Sequence, residues 1–577
     1  LAGGGTTGGN VTLGANTILN VGDATSDTTF GGVISGDGAL KKVNDSQLTL
    51  TNMNTFSGGT TVDGGTLWLG NDTDTNHGTI GGVLTINSGA TVDFKADNTT
   101  GTSDASNTAQ LTEVNINGGT FGGSDYSNYY YFTVNMNNGT WILGGTAAGA
   151  SGNDVSGNIN VTGGTTSVIR SIAADPDSDP GSLRMRSAIS IDVASGATLD
   201  VQAVIGSATS SGDPSNAGPA GITKTGAGTL LLSGANEYRG DTTISAGTLT
   251  VTGSLSNQTA VVLSDGTTYN VESTDTIGSL AGSGAVVLGV DEGNGNAAFT
   301  LSAGANNSST TYSGDMSGDG AFEKVGTGIL TLTGTNTYTG GTTNTAGVIK
   351  GDTLAIQGRI VNNSLVRFDI ADGNEETYSG KMSGVGVLEK IGDGTLVLTN
   401  GENDFTGGVS IFDGKLAVTA DGALGVLPSV VTGSIFGTSN DGSGRDPNWR
   451  MVAVPAGWTP SESLPYDAYA VNTLGSLKDY GSSEYNNLYY IAPRNSKNAL
   501  MSATDANRYN WIVAQDFTVL RPGDYDFEFF GTGDDFISFY IGGTLTGEGT
   551  RTPTITGGQQ IGGTHGSWST IGQFNGR

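Results

Sequence analysis

YSGDMSGDGAFEKVGTGILTLTGTNTYTGGTTNTAGVI, residues Tyr312 to Ile349, organises the rest of the chain. The stretch recurs from Tyr378 as YSGKMSGVGVLEKIGDGTLVLTNGENDFTGGVSIFDGKL and from Phe30 as FGGVISGDGALKKVNDSQLTLTNMNTFSGGTTVDGGTL. A fourth copy, GITKTGAGTLLLSGANEYRGDTTISAGTL, starts at Gly221 behind the insert SSGDPSNAGPA. Each copy carries a Leu-x-Leu pair and then Asn-x-aromatic-x-Gly: Leu48/Asn54/Phe56/Gly58, Leu230/Asn236/Tyr238/Gly240, Leu330/Asn336/Tyr338/Gly340 and Leu396/Asn403/Phe405/Gly407. Self-similarity at such a period points to a repeat architecture before any local propensity does.

The alternation Ile329-Leu330-Thr331-Leu332-Thr333 puts two leucines on one face of a strand and threonines on the other. Glycines every few residues permit tight corners with positive φ. No long stretch has a 3.6-residue period, and Gly and Thr are poor helix formers. Short strands with corners, repeated without helices, predict an all-β solenoid in which each turn stacks on the last. A twisted β-sandwich is the competing architecture. The repeat Asn is a candidate for an internal amide ladder, the Tyr or Phe for an aromatic stack, and the repeat Lys (Lys42, Lys224, Lys324, Lys390) for a structural position.

The copies resemble the autotransporter-associated β-strand repeat, G-x-G-x-L-x-K-x-G-x-G-x-L-x-L-x-G-x-N-x-Y-x-G-x-T. Gly318, Gly320, Phe322, Lys324, Gly326, Gly328, Leu330, Leu332, Gly334, Asn336, Tyr338, Gly340 and Thr342 follow it nearly in register. The resemblance implies a right-handed parallel β-helix on an exported bacterial surface protein. Autotransporters end in a membrane-spanning β-barrel, and no such barrel is expected within residues 1–577.

Gly makes up 97 of 577 residues without a G-X-Y period, which excludes collagen. Acids outnumber bases 54 to 24, and the net charge of −30 argues against nucleic acid and anionic membrane as partners. Cysteine is absent, so an exported chain of this kind depends on stacked hydrogen bonds rather than disulfides. Neither a signal peptide nor an apolar run of transmembrane length is expected within residues 1–577. Leu1 begins in mid-pattern, which leads us to expect a processed or excised portion of something longer.

The expected domains are a β-solenoid over 1–427, a linker over 428–447 and a β-sandwich over 448–577, cut short at Arg577. Within the first, Tyr126 to Phe132 is the densest aromatic patch, readable as an interior stack or as an outer platform for sugar rings. Asp175, Asp177 and Asp179 alternate as in a calcium loop. Pro180 and Arg186 stand where that loop needs Gly and a bidentate Glu, so a solvated corner is the expectation.

After Leu427 the composition shifts to Trp, Pro, Tyr and Arg. QDFTVLRPGDYDFEFFGTGDDFISFYIGG reads as strands around a Pro-Gly turn and an acidic corner, an antiparallel jelly-roll-like sandwich. This tail resembles secreted galactose-binding-like and protective-antigen-type modules, which implies that Asp534 and Asp535 hold calcium in a carbohydrate site. Adjacent carboxylates repel unless neutralised, which suits that role; the alternative is two exposed aspartates capping a β-turn, where Asp is common.

Two histidines far apart argue against a His-based triad or a histidine zinc site, and no hydrolase, nucleotide or metalloprotease motif occurs. Three function classes follow. The first is a non-enzymatic extracellular adhesin or stalk, binding glycans through the sandwich. The second is a filament or sheath subunit that polymerises with neighbouring copies of itself. The third is a polysaccharide hydrolase or lyase.

Overall fold

The computed structural model describes residues 1–3, 9–22, 26–70, 79–94, 110–122, 129–130, 132–144, 153–172, 181–207 and 219–426, together with the backbone of strands within 449–576. The chain divides into two units, Leu1–Leu427 and Pro428–Arg577.

The first unit is a parallel β-solenoid of about 17 turns with essentially no helix among its described residues. Its strands form three faces. The first face is a 13-stranded sheet that runs from Thr28–Phe30 to Met316–Gly318. The second face runs the length of the unit, from Ile18–Val21 to Val409–Ile411, each strand pairing with the turn before and the turn after. The third face is built of shorter sheets, among them the four strands from Tyr129–Tyr130 to Ile205–Ser207 and the six from Asp275–Ile277 to Met382–Ser383.

Pairing is parallel and in register, so like residues stack: Thr229 lies beside Thr248, Leu230 beside Leu249 and Leu232 beside Val251. The offset between paired residues runs from 17 (Tyr269 to Val286) to 33 (Ile191 to Lys224). At the usual strand spacing of about 4.8 Å the stacked turns of this unit span on the order of 80 Å.

The period-two expectation holds at the residues that carried it. Leu330 and Leu332 are 2% and 1% exposed, whereas Thr331 between them is half-buried on the outer side. Corners use glycine where the next backbone is close. Gly36 has φ +96°, and a Cβ there would lie 2.1 Å from the carbonyl oxygen of Leu13. Gly318, its equivalent in another copy, has φ +98° and faces the carbonyl of Leu288 in the same way.

One copy is turned relative to the others. The Leu-x-Lys strands Ala39–Lys42, Ile222–Thr225 and Val387–Ile391 lie on the second face, but Ala321–Lys324 lies on the third. The Leu-x-Leu strand Ile329–Leu332 has moved with it, from the first face to the second. Two excursions flank this rotated block. One is the antiparallel hairpin of Val290–Asp291 with Ala297–Ala298, and the other is a turn at 352–358. Each alters the path length to the next face.

In the second unit the described strands pair antiparallel, as in Phe527–Gly533 with Ser569–Gly576 and Phe536–Ile541 with Gln559–His565. The jelly-roll expectation rests mostly on residues outside the described set.

Candidate binding surface

The repeated polar residues point inward. In every copy a corner follows the Leu-x-Lys strand, made by a left-handed residue: Asn44 (φ +60°), Gly226, Gly326 and Gly392. Such a corner turns two successive carbonyls toward the core, where water cannot reach them. The lysine supplies the donors. Lys42 Nζ donates to the carbonyls of Val43 (2.9 Å), Asn44 (2.8 Å) and, one turn on, Gly64 (3.0 Å). Lys224 serves Thr225, Gly226 and Ala246, Lys324 serves Val325, Gly326 and Ala346, and Lys390 serves Ile391, Gly392 and Asp413. Burial pushes the ammonium of Lys224 down to about 8, with Asp192 opposing, and lowers the other three as well.

The repeat asparagine bridges three turns. Asn336 Oδ1 accepts from Met316 N (2.8 Å) on the preceding turn, while Nδ2 donates to Ala355 O (2.6 Å) on the following one. Asn54, Asn236 and Asn403 do the same with Ile34 and Thr79, Ile205 and Ser254, and Met382 and Ala423. The expected amide ladder is therefore not what these residues form; each saturates backbone instead, because the copies are separated by intervening turns. A buried amide pair does occur elsewhere, Asn344 Nδ2 to Asn362 Oδ1 at 3.2 Å.

In two copies the aromatic position is a capping device, and in one of them Tyr338 also meets Phe322 with ring centroids 6.4 Å apart. Tyr238 and Tyr338 hydroxyls pair with Thr242 and Thr342. Where the aromatic is Phe405, the threonine position is occupied by Val409. In the first copy Phe56 faces a retained threonine, and Thr60 Oγ1 is buried with no hydrogen-bond partner among the described residues.

Between copies the core changes character. Tyr130 and Phe132 lie inside, so for these two the interior reading of the aromatic patch holds; Tyr126 and Tyr131 lie outside the described residues. Tyr130 meets Trp141 edge-on at 4.9 Å and Phe132 at 5.8 Å, and Phe94 meets Phe121 at 5.3 Å. Asp154, fully buried, receives Arg184 and Arg186 from the next turn, both 2.5 Å away. Arg186, itself exposed, thus pairs with a buried carboxylate. Asp175, Asp177 and Asp179 lie outside the described residues.

Asp275 stands in the core where a copy would carry asparagine. Its carboxylate accepts from Leu255 N and Thr276 N at 2.9 and 2.8 Å, and burial raises its pKa. Asp534 and Asp535, the predicted metal pair, lie outside the described residues. Among the described residues no group of three or more His, Cys, Asp or Glu is placed to hold a metal ion.

The outer side of the second face carries an array that the repeat pattern did not reveal. Asn160 Nδ2 donates to Asn135 Oδ1 and Asn135 Nδ2 to Asn115 Oδ1, each at 2.8 Å, making an amide ladder over three turns. Beside it Asn117 donates to Asn87 (3.4 Å) and Asn87 to Asp63 (2.7 Å), which in turn pairs with Lys41. The readable signal was the x-Asn-x-Asn alternation in LTEVNIN and TVNMN, which sets amides on the outer side of consecutive strands.

These features define a parallel β-solenoid with inward-capped corner repeats and a polar outer sheet. The passenger-associated-transport-repeat family is matched at residues 40–69, 222–251, 322–350 and 388–418, the four copies described above. The chain is also similar to a protein named "Adhesin BmaC autotransporter" from Brucella suis biovar 1 (strain 1330), 29% identical over 485 residues. That alignment covers 74% of this chain and 12% of the relative, so the chain spans only a small part of the relative's length. No solved structure matches. No helix among the described residues is long and apolar enough to cross a membrane.

Proposed function

We propose that this chain is part of a bacterial surface-displayed passenger whose solenoid is a rigid, non-catalytic stalk with an adhesin role. The observation that carries this is the set of inward-facing Lys and Asn caps at all four family-matched copies, in a chain similar to an autotransporter adhesin. The caps saturate the backbone of each corner without disulfides, a construction suited to an extended exported stack.

Adherence tests it. Beads coated with the purified chain should bind host-type cell layers above albumin-coated beads, and the protein should remain monomeric at assay concentration. Failure to adhere would reject the adhesin role. Growth of filaments in electron micrographs would favour the structural subunit, and release of reducing sugar from polysaccharides would favour the enzyme. In the same reading Asp534 and Asp535 bind calcium, supported by their adjacency in GTGDDF. A chelator should lower the melting temperature of the wild type and leave Asp534→Ala/Asp535→Ala unchanged; no chelator effect on the wild type would remove the proposal.

A further inference from the structure

The outer amide array on the second face is neither core nor corner, and none of the solenoid's capping needs it. Its strands Gly82–Asn87, Leu111–Asn117, Thr133–Asn137 and Ile159–Thr162 pair in parallel register, Thr85 beside Asn115, Asn115 beside Asn135, and Asn135 beside Asn160. A second outward column holds Asn87, Asn117 and Asn137. We propose that this face binds an uncharged, hydroxyl-rich polymer, a neutral polysaccharide lying across successive rungs. The proposal rests on the adhesin reading and names its contact surface.

Three observations point to that chemistry. The first is charge. In a chain with 54 acids and 24 bases, the outward positions of these four strands include a single ionised side chain, Glu113. Charge resumes only at the borders, with the Asp63–Lys41 pair next to Asn87 and Asp192 beside Asn160. Such a surface offers little to a cationic or an anionic polymer. The second is polarity without apolar area. The outward residues are Asn and Thr apart from Glu113 and Val83, so the face suits a ligand recognised by hydrogen bonds rather than by hydrophobic docking. An amide both donates and accepts, as does a sugar hydroxyl.

The third is preorganisation. Each ladder bond engages one N–H of one amide and one lone pair of the next, which fixes the side-chain rotamers and leaves further donor and acceptor capacity on every rung. The ordering entropy is therefore already met before a ligand arrives. The rungs recur at about 4.8 Å and the two columns stand about 6.6 Å apart along the strands. A polymer with regularly spaced hydroxyls would meet similar groups at each step, so weak contacts would sum.

The experiment is co-sedimentation of the purified full chain with cellulose, insoluble β-1,3-glucan and starch granules, against calcium alginate gel as an acidic comparator. At least one neutral polysaccharide should retain the chain, equally at 0.05 and 0.5 M salt to within about twofold, because no charge is engaged. Asn135→Val/Asn160→Val should lower the retained fraction about tenfold. Asn117→Val/Asn137→Val, at exposed positions, should lower it several-fold and guards against a folding defect in the first pair. Thr229→Val/Thr248→Val on the outer side of the first face should leave it unchanged.

No retention on any neutral polysaccharide, retention that salt abolishes, or retention unaffected by both asparagine pairs would each overturn the proposal. So would a dimer in sedimentation velocity that the asparagine pairs dissolve, since the face would then bind a second copy. Cell adherence that survives both asparagine pairs would sink this face and leave the adhesin reading standing; a wild type that does not adhere would sink that reading independently.

Discussion

The turn at Lys324 and Asn336 and the turns between Gly82 and Thr162 solve the same stacking problem in opposite ways. In the repeat copies Lys and Asn side chains go inward and saturate corner carbonyls and amides, while the threonine between the paired leucines, Thr331, lies on the outer side. In the turns between, large aromatics fill the core and the laddered asparagines face out, while Asn153 stays inside with Tyr130 and the Gly144 carbonyl. The difference teaches that the repeat marks where the scaffold is fastened, and the non-repeating turns are where the surface was free to become specific. The rotated copy sharpens this. Ala321–Lys324 and Ala39–Lys42 lie on different faces, yet Lys324 and Lys42 make equivalent bonds. The corner is therefore a self-contained unit that needs only its neighbouring turns.

The largest expected effect is at the inward leucines. Leu330→Asp or Leu332→Asp places a carboxylate in the dry column and should cost more than about 4 kcal/mol, whereas Thr331→Asp should cost less than about 0.5 kcal/mol. Denaturant unfolding of the three variants checks this, and equal losses would show the inside and outside to be misassigned. Lys324→Met comes next. It leaves the carbonyls of Val325, Gly326 and Ala346 without their donor and should cost about 3 kcal/mol. A similar loss for Lys42→Met would confirm that rotation by one face leaves the unit intact; a harmless Lys324→Met would show that the rotated copy is not capped as the others are.

A smaller change runs in the stabilising direction. Phe56→Tyr would give Thr60 the hydroxyl partner that Tyr238 and Tyr338 give Thr242 and Thr342. A gain of about 1 kcal/mol is expected in thermal unfolding, and a loss would mean that the first copy has closed around the phenyl ring. The pH dependence of Asp275 is the subtlest. Its folded pKa is raised by burial, so the folded state holds the proton more tightly than the unfolded chain. The stability gained by protonation is fully present below the ordinary Asp range and is lost as pH rises through the folded value. Wild type should therefore gain melting temperature relative to Asp275→Asn as pH falls from 7 to 4. A difference that stays constant with pH would place no such proton there.

How much of this was legible follows from where each residue sits. The repeat announced the solenoid, because parallel in-register stacking demands the same residue type at the same position on neighbouring turns, and Leu330 and Leu332 showed that period directly. The lysine was legible as structural, but not its three carbonyl partners, since the left-handed corner that creates them is a matter of backbone direction. The asparagine was assigned to a ladder because the spacing between copies, three or more turns, hides the intervening residues that it contacts. The rotated copy was not legible at all, for it depends on the path length of the hairpin at 290–298 and the turn at 352–358. The outer amide array lies in strands that match no repeat, and alternation alone does not tell which asparagines stack on which.

The central claim, that the copies hold the fold and the turns between them present the surface, is tested most directly by one paired measurement. Melting temperature and polysaccharide retention per folded molecule are recorded side by side for Asn336→Ala and for Asn135→Val/Asn160→Val. The account predicts a dissociation: Asn336→Ala loses about 2 kcal/mol of local stability and retains binding, whereas the outer pair keeps its melting temperature and loses binding about tenfold. Both quantities moving together in both variants would contradict it.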